Sequence, residues 1–197
     1  ATDDARLTLE TALDAAGHGA LISTWSELTE LSRDEHGRVC GGVVKDVFTG
    51  QTKQIKARAV VNATGPWTDA LLGNDGVTKH KLLRTTKGIH IVVDSKILAL
   101  ENAVVCAHPK DKRVLFAIPW GERTYIGTTD TDWSGDPADV YATSDEVDYL
   151  IDAVSSYFPK NVITRKDVIS TWAGIRPLIA PPEAEKGETA SEVSREH

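Results

Sequence analysis

Apolar residues change their spacing several times along this chain, and each change marks an element. In residues 3–16, Leu9, Ala12, Leu13 and Ala16 recur at i, i+3, i+4 and i+7, which predicts a helix stopped by Gly17. The stretch ALISTWSELTEL that follows is rich in strand formers. Residues 38–63 predict two or three strands, with Gly37 and Thr49-Gly50 as turns. Ala59-Val60-Val61 has the composition of a buried strand, Gly65-Pro66 of a turn, and Pro66 opens a short helix reaching Leu72.

The pattern changes after residue 80. KLLRTTKGIHIVVD predicts a long strand with Gly88 as a bulge or a point of close approach. RVLFAIPWGERTYIGTTD predicts a hairpin turning at Trp120-Gly121-Glu122-Arg123. In TSDEVDYLIDAVSSYF, Thr143 and Glu146 have capping-box spacing. Val147, Leu150, Ile151, Val154 and Phe158 form the apolar stripe of that helix, and Pro159 ends it. DVISTWAGIRPLIAP predicts another long strand, and residues 181–188 a loop before a last extended piece. The reading is an α+β chain: the tail of a nucleotide-binding α/β domain, then a mainly antiparallel sheet carrying a helix.

Composition narrows the function. With 197 residues and 41% hydrophobic content the chain can bury a sizeable core. A net charge of −7 argues against a nucleic-acid partner, which needs a basic face, but not against a small anion held by two or three local arginines. Cys40 and Cys106 lack metal-ligand spacing and are expected as reduced thiols of a cytosolic protein. The absence of methionine points to a segment of a longer protein.

The stretches VVNATGPWTDAL, TTKGIHIVV, LFAIPWGERTYIGTTDTDW, STWAGIRPLI and SREH resemble the FAD-dependent glycerol-3-phosphate dehydrogenases, and with the first helix they carry the likeness from residue 3 to 197. That family belongs to the amine-oxidase-like flavoproteins. The resemblance implies a partial FAD-binding domain in residues 1–78, a substrate-binding domain in 79–180 and a return segment toward the FAD domain in 181–197. The glycine-rich fingerprint that holds a dinucleotide pyrophosphate is missing from this sequence. The cofactor wall expected here is Leu28, Ala63, Thr64, Gly65 and Gly174.

The resemblance also implies the chemistry: oxidation of sn-glycerol 3-phosphate to dihydroxyacetone phosphate, hydride to FAD, and electrons to a membrane quinone or to oxygen. It places the parent protein in the cytoplasm, peripheral on the inner face of the membrane, and a homodimer is open. His90 is the implied base or hydroxyl ligand, with Lys87 beside it; a histidine titrates near neutrality, as a general base should. The alternative is a strand histidine satisfied by a backbone carbonyl. Arg176, held extended by Pro177, is the implied phosphate ligand, because a planar guanidinium suits bidentate contact. Arg195 is a second. The alternatives are a surface arginine and a chain-end residue.

Two further functions remain possible. One is oxidation of an amino acid or hydroxy acid, with Arg176 clamping a carboxylate. The other is a non-catalytic interaction module. DTDWSGD, residues 130–136, starts like a calcium loop, but its twelfth position is Tyr141; a turn with Asp carboxylates bonding nearby amides is expected instead. Trp67, Trp120 and Trp172 are expected in the core.

Overall fold

The computed structural model describes residues 3–74 and 82–180. Contacts divide them into two units: residues 3–64 with 68–74, and Gly65–Trp67 with residues 82–180. The expected loop at 181–188, the return segment 181–197 and Arg195 lie outside the described residues.

In the first unit, helix α1 (Asp4–Gly17) begins where the Asp3 carboxylate accepts the Arg6 N–H. Among the described residues its apolar stripe is little covered: Leu9 and Leu13 stay more than half exposed. Strands β1 (Ser26–Arg33), β2 (Val39–Asp46) and β3 (Thr52–Lys56) form an antiparallel sheet in that order. Helix α2 (Thr68–Asn74) follows a single 3-10 turn, Gly65–Trp67. The strand expected at Ala59–Val61 does not form. A strand must hand its backbone groups to a neighbouring edge; none of the described strands pairs with these residues, and Val61 is 85% exposed.

The second unit is built on β4 (Leu83–Asp94). Strand β9 (Val168–Ile179) pairs antiparallel along one edge of β4, while β7 (Arg123–Gly127) and β8 (Thr131–Asp132) share the other. Beyond β7 lie β6 (Val114–Trp120) and β5 (Val104–Ala107). The β6–β7 hairpin turns through Gly121-Glu122, with Trp120 opposite Arg123, as its sequence predicts.

Helix α3 (Ser144–Tyr157) starts with the full capping box of Thr143 and Glu146 and packs on β4, β5 and β7. Leu150, Ala153 and Val154 meet Ile89, Ile91 and Val93 of β4, Leu115 and Ala117 of β6, Ile126 of β7 and Cys106 of β5 in the core. Both thiols are free, Cys106 buried and Cys40 half-buried. Among the described residues the core occupies one face of the sheet. Among the described residues of this unit the opposite face is open, which corrects the expectation for the tryptophans: Trp120 and Trp172 lie there, 43% and 44% exposed, and Trp67 is 46% exposed. Among the described residues no helix is long and apolar enough to cross a membrane.

Candidate active site

Side chains alternate across a strand, so β4 sorts its own chemistry. Lys87, Ile89, Ile91 and Val93 point toward α3. Thr86, Gly88, His90 and Val92 point to the open face. Lys87 and His90 are three residues apart and therefore lie on opposite faces, which corrects their expected partnership. Lys87 is buried and its Nζ sits 2.8 Å from the Glu146 carboxylate of α3 and 3.1 Å from the Tyr141 carbonyl. Burial works against the Glu146 charge, but bonds from Lys87, Thr143 and Thr131 outweigh it and hold the carboxyl below its ordinary value. Lys87 is thus committed to locking the helix onto the sheet.

His90 stands opposite Gly127 on β7 and Trp172 on β9, so three strands contribute to one row. The imidazole occupies the space a Gly127 side chain would fill: a Cβ there would fall 2.1 Å from His90 Cδ2. The Trp172 ring stacks on it at 5.0 Å and 18°, and Tyr125 meets it edge-on at 6.0 Å. Nδ1 is enclosed and has no partner, so the expected alternative of a histidine satisfied by a carbonyl is not what the structure shows at that nitrogen. Burial, and then the Arg176 charge, push the imidazole below its ordinary pKa of 6.5, so it is neutral near pH 7.

Arg176 projects from β9 on the same face, paired with Thr86. Its guanidinium crosses bare backbone at Gly88, where a Cβ would come within 2.2 Å of Nη2. Gly88 is therefore a point of close approach; the register of β4 with β9 is unbroken there, and the bulge falls at Val92/Val93. Arg176 donates to Thr128 Oγ1 at 2.9 Å and to the Asp130 carboxylate at 3.2 Å. Arg113 donates to the Asp130 carbonyl. Beside them opens a cavity of about 520 Å3 lined by Asp111, Lys112, Arg113, Thr128, Asp130 and Arg176, among others. The expected Asp–amide turn holds at Asp136, which accepts the Ala138 N–H, whereas Asp130 and Asp132 each bind an arginine. No group of potential metal ligands occurs among the described residues.

A family model described as FAD dependent oxidoreductase matches residues 1–189. The chain belongs to the FAD-dependent oxidoreductase family. Its relatives include the aerobic glycerol-3-phosphate dehydrogenases of Staphylococcus epidermidis and Staphylococcus aureus, each 43% identical over 98% of this chain and 34% of the relative. A crystal structure of glycerol-3-phosphate dehydrogenase from Bacillus halodurans complexed with FAD matches at 43% identity and a TM-score of 0.86, over 91% of this chain and 36% of that one. L-proline dehydrogenase from P. horikoshii, 17% identical with a TM-score of 0.60 over 90% of this chain and 44% of that one, shares the fold alone. The chain thus spans about a third of the length of the glycerol-3-phosphate dehydrogenases it resembles.

The cofactor residues expected of an FAD-dependent oxidoreductase fall in both units. In the first, Leu28 packs its side chain over Gly42, where a Cβ would stand 2.5 Å from Leu28 Cδ1. Ala63 and Thr64 are exposed in a turn tied by Asn62, whose side chain accepts the Thr64 hydroxyl at 2.7 Å and its N–H at 3.3 Å. In the second, a Cβ at Gly65 or Gly174 would enter open space. Gly174 lies on β9 between Trp172 and Arg176, opposite Gly88. Bare backbone flanked by a neutral histidine and an arginine fits a flat redox ring together with its substrate. Sequence reasoning missed Thr128, Asp130, Arg113 and Gly127 as parts of this site. The GTTD run carried a signal for Gly127, Thr128 and Asp130, since small and hydroxyl residues at a strand end leave room for side chains from neighbouring strands; Arg113 had none.

Proposed function

We propose that the protein carrying this chain oxidises sn-glycerol 3-phosphate to dihydroxyacetone phosphate, and that the open face of the second unit is its substrate side. The observation that carries this is the placement of His90 and Arg176 on one face, with Arg176 and two further cations, Arg113 and Lys112, around one cavity. The 43% identity to aerobic glycerol-3-phosphate dehydrogenases supports the choice of substrate. Bound FAD would supply the hydride acceptor. The residues of this chain supply the rest. Arg176 binds the phosphate through charge-assisted hydrogen bonds, and Thr128 and Asp130 orient its guanidinium. His90, neutral and next to a cation, accepts the proton of the hydroxyl being oxidised. The cationic neighbour that adds to the effect of burial on His90 also holds the anionic end of the substrate.

In this reading Arg195 is a second phosphate ligand, and Leu28, Ala63, Thr64, Gly65 and Gly174 line the flavin. Electrons pass to a quinone, with the protein at the cytoplasmic face of the membrane. The 197-residue chain by itself, which lacks the pyrophosphate fingerprint, is expected to purify colourless and inactive; saturable micromolar binding in a fluorescence titration with FAD would overturn that. The test of function is turnover of a full-length protein carrying this segment. Turnover of sn-glycerol 3-phosphate well above glycerol and above amino or hydroxy acids supports the proposal. Preference for a carboxylate substrate overturns it.

A further inference from the structure

We propose that Trp172 is a positioning residue for His90: its indole and the bare backbone of Gly127 hold the imidazole in one orientation on the open face of the sheet. Gly127, His90 and Trp172 lie in register across β7, β4 and β9. The imidazole overlies Gly127 so closely that any side chain there would displace it. Trp172 stacks on the ring nearly parallel, and Tyr125 stands edge-on to His90 and tilted against Trp172 at 5.5 Å. The indole is 44% exposed, so it is placed against His90 and solvent and is not a core side chain.

This enclosure has a chemical consequence. Nδ1 is shut in without a hydrogen-bond partner. The ring is therefore held without the carboxylate or carbonyl that usually orients a working histidine through Nδ1. Orientation falls to packing, and packing also shields the ring from water. Among the described residues of this unit the charged and titratable groups around it are few. Arg176 projects from β9 on the same face, with Asp130 bonded to it. Tyr125 comes from β7. Asp94 and Arg123 pair with each other at the far ends of β4 and β7, 3.1 Å apart. From β6 come Phe116 and Ile118, and Lys87 and Glu146 lie on the opposite face. Shielding by Trp172 and repulsion from Arg176 act in the same direction, against the imidazolium.

The positioning role rests on the structure alone; its use in catalysis rests on the reading of His90 as the proton acceptor. Both are tested by following the imidazole Cε1–H resonances of the 197-residue chain from about pH 4 to 8 by NMR, across the range where histidines titrate. His90 is assigned by the resonance lost in His90→Gln. Trp172→Ala is expected to raise the His90 midpoint by about half a unit or more, toward the value of a solvated histidine. Trp172→Phe, which keeps a ring, is expected to stay near the native midpoint. An unchanged midpoint in Trp172→Ala, or equal shifts in the Ala and Phe variants, overturns the proposal, provided the buried His108 resonance shows that the sheet is intact. In the full-length protein the acid limb of the kcat/KM profile should rise with the His90 midpoint. If the midpoint moves and the limb does not, Trp172 keeps its positioning role and His90 loses its role as proton acceptor.

Discussion

The two faces of β4 carry the same kinds of residue and use them in opposite ways. On the α3 side the buried Lys87 has a carboxylate, a carbonyl and two aromatic rings around its ammonium, with Trp133 at 5.2 Å and Tyr141 at 5.8 Å. On the open side His90 keeps a nitrogen without a partner, and its neighbours are half-exposed aromatic rings and an arginine held over bare backbone. The first arrangement satisfies its charges and fixes a helix. The second leaves an imidazole nitrogen without a partner beside an arginine that is itself bonded to Thr128 and Asp130, the setting in which the proposed binding and proton transfer would take place. A polar residue on this strand is understood by its face before its neighbours in sequence.

The comparison can be broken from either side. The largest expected effect is on stability. Lys87→Ala leaves Glu146 charged and unpaired beneath α3, at a cost of about 3–5 kcal/mol. Urea unfolding of the 197-residue chain measures it, and a loss below about 1 kcal/mol, the worth of an exposed pair, would show that the pair is not locked. On the other face, His90→Gln in the full-length protein should lower kcat by roughly 100-fold or more with flavin content and unfolding unchanged. Retention of the same ionisation in the pH–rate profile would remove His90 from the proton-transfer step. Arg176→Ala should cost about 1.5–3 kcal/mol in kcat/KM for sn-glycerol 3-phosphate and little for glycerol. Equal losses on both substrates would exclude the phosphate role.

The smallest effect is the pH dependence of the locked pair. Glu146 has a folded-state pKa below its ordinary 4.5, so its contribution is complete above that value and is lost as pH falls through the lower folded value. Glu146→Gln, which keeps a capping side chain, should flatten the decline of stability below about pH 4.5. An unchanged acid profile would show that Glu146 does not carry it.

The elements after residue 80 were legible because each signal is local. Thr143 and Glu146 lie within one helical turn, and the two residues between Trp120 and Arg123 fix a hairpin. The residues of GIRP and KGIH were also legible as candidates. Their arrangement was not: alternation along β4, visible in the sequence, separates Lys87 from His90, but which face the helix covers depends on packing. Ala59–Val61 failed for the same reason, since a strand's hydrogen bonds are made to residues far away in sequence. Trp172 reads as core from composition, and only the pairing of β9 with β4 shows it against His90.

The most direct test of the division between the faces removes the charged lysine and its charged partner together. In the full-length protein, Lys87→Met with Glu146→Gln replaces the buried pair by neutral side chains, a change that buried ion pairs often tolerate. The measurement is kcat on sn-glycerol 3-phosphate at neutral pH, with flavin content as the check on folding. The account predicts a kcat within about threefold of the native value, far from the 100-fold loss typical of removing a general base. A loss of that size in a fully flavinated protein would contradict it, because it would place Lys87 in the chemistry and not beneath the helix.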